Sequence, residues 1–99
     1  MNVLLTYDLD GHHYVVKESA KAAGFRDHIL SEAGTLEPLP NTTLIVDAFS
    51  PEHARAVFLG IAQRHGATVT CLIAADWTRA VMHKSSWRGL LGALLGRAA

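Results

Sequence analysis

Asp8, Asp10, His12 and His13 fall within one short stretch, Tyr7-Asp8-Leu9-Asp10-Gly11-His12-His13. Carboxylates at i and i+2 on an extended strand point the same way, so Asp8 and Asp10, with a twin from a second subunit, could hold Mg²⁺ while the ion keeps several of its waters. Such an ion would polarise a phosphoryl oxygen and acidify an attacking water. A neutral imidazole at His12 could then act as general base near pH 7. The same residues also have a plainer reading. Asp10-Gly11 is turn chemistry, and Asp8 would then be a strand-end carboxylate or a helix cap. His12 and His13 would be a solvated first helical turn, because neighbouring helical residues diverge by about 100° and rarely serve one ion.

Other polar residues give weaker signals. His65 precedes Gly66 and suits a cation at a helix C-terminus, and His53 falls in the first turn of the same helix. Asn41 and Thr42 read as turn and strand start, with phosphate contact as the alternative. Cys71 lies in Val69-Thr70-Cys71-Leu72-Ile73 with no basic neighbours to lower its pKa, which predicts an inert buried thiol. The sequence contains no GxSxG, Walker loop, CxxC or HExxH, so the enzyme classes built on those motifs lose support.

The elements that must position these residues follow from pattern. Residues 3–8 favour a strand that stops at Asp10-Gly11. Residues 12–23 predict a short helix closed by Gly24. Residues 26–36 read as an edge strand made irregular by Gly34, and Glu37-Pro38-Leu39-Pro40-Asn41 as a loop, since two prolines cannot both donate to a ladder. Residues 42–48, rich in β-branched side chains, form the strongest strand signal. A second helix is announced by Ser50 as N-cap, Pro51 at the first position, Glu52 at the positive end of the dipole and Gly66 as stop. Its buried face is predicted at Ala54, Val57, Phe58, Ile61 and Ala62, and a last strand covers 67–74.

The fold class expected is therefore α+β, with order β-α-β-β-α-β. The economical arrangement is a ferredoxin-like antiparallel four-stranded sheet, spatial order 4-1-3-2, with both helices on one face. This topology gathers Asp8, Asp10, His12, His13, Asn41, Thr42 and His65 at one end and sends Asp47 and Asp76 to the other. The helix-free face keeps apolar side chains, which implies a partner, most economically a second copy across a two-fold axis.

Composition bounds the function. The chain has 99 residues, 49% of them apolar, with nine basic and nine acidic side chains. That argues for one globular domain and against a uniformly basic nucleic-acid binder. The balance is uneven along the chain. Residues 1–76 hold five basic and nine acidic groups, whereas residues 77–99 hold four basic and no acidic ones. Domain 1–78 thus carries a basic amphipathic extension, 79–99, in which Trp87, Leu90, Leu91, Leu94 and Leu95 line one helical face behind a Ser85 or Ser86 cap. Gly89, Gly92 and Gly96 weaken that helix by about 1 kcal/mol each relative to alanine, so it should form only against a surface. That surface could be the protein itself, an acidic membrane reached through Arg88, Arg97 and Trp87, or nucleic acid. One cysteine allows no internal disulfide, and neither a secretory leader nor a roughly 20-residue apolar span is legible, which predicts a cytoplasmic protein.

With "YDLD" ending strand one, "LPNTT" entering strand three and "IAADW" closing the last strand, residues 2–78 resemble a superfamily of small ferredoxin-like nucleases. It includes the dimeric small subunit of CRISPR adaptation complexes, VapD-type ribonuclease toxins and the GhoS-type antitoxin ribonuclease. The resemblance implies a homodimer and an Mg²⁺-dependent phosphodiesterase, most naturally an endoribonuclease acting on RNA, with DNA as the other candidate. It matches Asp8 to the metal-binding aspartate near the dimer axis. In this chain Gly11-His12-His13-Tyr14 replaces the basic helix start usual in that family. The competing expectations are a non-catalytic dimeric interaction or regulatory module of toxin-antitoxin type, and a membrane-surface protein anchored by its tail.

Overall fold

The computed structural model describes residues 1–78. It is an α+β fold of seven elements: β1 (Asn2–Leu9), α1 (His13–Ala22), β2 (His28–Leu30), β3 (Leu36–Pro38), β4 (Thr43–Asp47), α2 (Pro51–Arg64) and β5 (Val69–Asp76). The expected tail helix lies outside the described residues.

β1 is the centre of an antiparallel sheet ordered β4-β1-β5. Leu5 pairs with Leu44 on one side and with Ala74 on the other. Alternation along β1 sends Val3, Leu5, Tyr7 and Leu9 into the core, each less than one-tenth exposed. Against them pack Val16 and Ala20 of α1 and Ala54, Phe58, Ile61 and Ala62 of α2. Phe58, fully buried, is the hub of this layer. Its ring centroid lies 4.4 Å from that of Tyr7 and 6.0 Å from that of Phe25. Val57, expected on the same helical face, sits at its margin and is 37% exposed.

Local chemistry sets the start of α2 and the ends of both helices. Ser50 Oγ accepts the His53 N–H at 3.1 Å, and Pro51 occupies the first turn, where a missing N–H costs nothing. The two C-termini are the same device. Phe25 N–H reaches Ala20 O and Gly24 N–H reaches Lys21 O; in α2 the pairs are Ala67 to Ala62 and Gly66 to Gln63. Each is a Schellman closure around a glycine at positive φ, 105° for Gly24 and 73° for Gly66.

The sheet departs from the expected four strands in the 26–41 region. Only Arg26 joins β4, through paired backbone bonds with Ile45 of 2.7 and 2.9 Å. The chain then doubles back as a separate hairpin, β2 on β3, with Leu30 opposite Leu36. Ser31, Thr35 and Gly34 at φ 83° close its turn. Pro38, expected in a loop, ends β3 opposite His28. Leu39 N–H bonds Asp27 O one residue on, so His28 and Pro38 form a non-hydrogen-bonded pair and proline's absent N–H removes no ladder bond there.

Candidate functional site

The antiparallel pairing of β1 with β4 and β5 brings the anticipated rim together. Thr42 O accepts the Tyr7 N–H at 3.0 Å, and Asp10 N–H donates to Thr68 O at 3.1 Å. At the opposite end Asn2 pairs with Asp47 and Val3 with Asp76, and the N-terminal ammonium meets Asp47 at 2.9 Å. That contact holds the Asp47 carboxyl below its usual range.

Asp8 and Asp10 nevertheless have different jobs. Asp10 Oδ1 accepts the Thr68 backbone N–H at 2.8 Å, so this carboxylate fastens the β1 exit to the β5 entry. Asp8 is exposed on the helix-free face, paired with Cys71 in the ladder, with Thr70 Oγ1 3.3 Å from its backbone carbonyl, and its carboxylate oxygens meet no partner among the described residues. The expected pair of metal carboxylates therefore divides into one structural group and one uncommitted group. Among the described residues no three His, Cys, Asp or Glu side chains converge on a common point.

His12 precedes α1 with φ 58° and ψ 31°, the left-handed region, and its side chain makes no cap bond. Histidine tolerates this conformation better than most residues, and the turn it makes leaves its ring exposed beside His13. This left-handed residue leads the chain from Gly11 into α1.

Three further features lay beyond sequence reasoning. Cys71, expected to be buried, is exposed. A β-bulge causes this: Asp8 faces Cys71 but Leu9 faces Val69, so Thr70 is an extra residue and the inward positions switch from Val69 to Leu72 and Ala74. Ser19 Oγ lies 2.7 Å from His65 Nε2, which ties α1 to the end of α2 across 46 residues of sequence. Lys17 places its ammonium 3.2 Å from Asn41 O and 3.5 Å from Asn41 Oδ1, giving the rim a cation that local pattern could not reveal. His53, as expected, belongs to the first turn of α2, where it lies 5.3 Å, ring to ring, from the exposed Phe49.

No helix among the described residues is long and apolar enough to cross a membrane. No protein-family model matches the chain, and no curated protein or solved structure matches it either.

Proposed function

We propose that the chain is a homodimeric, metal-dependent phosphodiesterase of the ferredoxin-like superfamily named above, most naturally a cytoplasmic endoribonuclease, with Asp8 as its metal ligand. One observation supports this reading. Asp8 is a carboxylate at the end of the central strand, exposed on the face that carries no helix, with its oxygens free of partners among the described residues. A single carboxylate does not make an Mg²⁺ site. The reading therefore requires a second copy whose Asp8 faces the first across a two-fold axis, with water filling the remaining positions. In that arrangement the ion would polarise the phosphoryl oxygen and activate water, His12 would take the proton, and Lys17 would offset phosphate charge.

The test is cleavage of labelled RNA and DNA with Mg²⁺ or Mn²⁺ by the wild type and by Asp8→Ala, each checked for dimer mass. Cleavage by the wild type and loss in the variant is expected. Equal cleavage by both proteins would remove Asp8 from the mechanism.

A second reading, a non-catalytic interaction module, draws on a different observation. Leu30, Leu36, Phe49 and Ile73 are all at least 60% exposed, and the described domain is acidic, which works against a polyanionic substrate. Stoichiometric co-purification of a protein, lost on deleting residues 84–99, together with no cleavage by the wild type, would favour it.

A further inference from the structure

β5 is the outer strand of the β4-β1-β5 sheet, and among the described residues nothing pairs with its far edge. The opposite edge of the sheet is partly closed, where Arg26 bridges Ile45 of β4. Trp77 donates its backbone N–H to Asn2 O at 3.1 Å, so by alternation Ala75, Ile73 and Cys71 turn their main-chain groups to β1, and Leu72, Ala74 and Asp76 turn theirs outward. Sheet proteins usually blunt such an edge with lysine, proline or a bulge. Here the bulge at Thr70 guards one end, while from Cys71 to Ala75 the strand has neither charge nor proline. Ile73, in the middle of that run, is 60% exposed.

Beside this edge runs a groove of about 300 Å³ lined by Pro51, Glu52, Arg55, Leu72, Ile73 and Ala74. Glu52 and Arg55 stand one turn apart at the start of α2, both exposed and without an ion-pair partner among the described residues. We propose that β5 pairs antiparallel with β5 of a second copy, about a two-fold axis that passes through Ile73 perpendicular to the sheet, joining the two sheets into one. Register selects this axis. Ile73 then meets the partner's Ile73 on the helix-free face, Leu72 lies opposite the partner's Ala74, and Thr70 opposite the partner's Asp76. Leu72 and Ala74 exchange about four main-chain hydrogen bonds with their counterparts. Centring the pair on Leu72 instead would run it into the Thr70 bulge, and centring it on Ala74 would set Leu72 against the partner's Asp76. Charge selects the same occupant. The axis turns Arg55 of each copy toward the partner's Glu52, the reciprocal match that an isologous contact requires. Asp8 lies on β1, one strand in from this edge. The axis is therefore not the face-to-face one that the proposed metal site needs, and either contact can fail without the other.

Sedimentation and oxidative cross-linking of the full chain test it. The wild type should sediment as a dimer that dissociates on dilution. In a Cys71→Ser background, Ile73→Cys should give a disulfide-linked dimer under mild oxidation, because a non-hydrogen-bonded pair across the axis lies within disulfide reach. Ala75→Cys, at least about 13 Å from its counterpart, should not. Ile73→Lys sets two ammonium groups face to face and should raise the dimer dissociation constant about tenfold or more, with circular dichroism unchanged. Should that variant misfold, Arg55→Glu should weaken the dimer severalfold and Glu52→Arg/Arg55→Glu restore it. A wild type that stays monomeric at every concentration would overturn the proposal; resistance of the Leu72 and Ala74 amides to hydrogen exchange in that monomer would mean that the chain covers its own edge. A dimer that survives both Ile73→Lys and Arg55→Glu, or that cross-links no better at residue 73 than at residue 75, would place the contact on another surface and overturn it as well.

Discussion

Asp10→Ala should destabilise the fold where Asp8→Ala does not, although the two carboxylates stand two residues apart and are both exposed. Asp10 Oδ1 accepts the Thr68 N–H at 2.8 Å, while Asp10 N–H keeps its own bond to Thr68 O. A hydrogen bond to a charged group contributes about 1.5–3 kcal/mol, and the low end applies because water can rehydrate the Thr68 amide once the carboxylate is gone. A loss of about 1–1.5 kcal/mol is therefore expected. With a urea m-value of about 1 kcal/mol/M for a domain of this size, the unfolding midpoint should fall by about 1 M. Asp10→Asn keeps an acceptor without the charge and should recover about half of that loss. Asp8→Ala removes no bond from its carboxylate, so a change within about 0.5 kcal/mol is expected. Urea unfolding followed by circular dichroism at pH 7 measures all three. Equal midpoint shifts for Asp8→Ala and Asp10→Ala would refute the division of labour between them.

Phe58→Ala removes the fully buried ring that meets both Tyr7 and Phe25. It should cost about 3–5 kcal/mol, enough to leave much of the chain unfolded at 37 °C in a thermal melt. Asp27 has its carboxyl held below the usual range, first by its hydrogen bond to His28 and also by Lys21 at 3.4 Å. A depressed folded-state pKa gives stability that is present above the unfolded value, about 3.9, and is lost as pH falls through the folded value. Asp27→Asn should therefore flatten the decline of stability below about pH 4 and leave its slope near neutrality unchanged. Cys71, exposed opposite Asp8, should react with a disulfide reagent, at dilutions where sedimentation shows monomer, at close to the rate of the urea-unfolded chain; protection by orders of magnitude in that monomer would mean that the bulge places it inward.

Much of the scaffold was legible because the signals were local. Ser50, Pro51 and Gly66 bound α2 by side-chain acceptance, fixed φ and positive φ, each read within a few residues. The alternation of β1 and the β-branched run of β4 placed both strands, and the expected ferredoxin-like order set them side by side and antiparallel, as the sheet shows. What stayed hidden depended on register or on long-range pairing. The inward face of β5 switches at one extra residue, Thr70, and nothing in Val-Thr-Cys-Leu-Ile marks it. Arg26–Leu36 carries the side chains of an edge strand, and only the Ser31-Thr35 contacts and the Arg26 bridge turn it into a hairpin beside β4. The commitment of Asp10 to Thr68, 58 residues away, could not be told from a metal ligand by residue type alone.

The central claim is that two copies of Asp8 meet to hold one divalent ion. Mn²⁺ titration followed by electron paramagnetic resonance, on the wild-type chain and on Asp8→Asn at equal concentration, tests it most directly. One bound Mn²⁺ for every two chains, lost in the variant, is the predicted result. Absence of bound Mn²⁺, or binding that Asp8→Asn leaves unchanged, would contradict it.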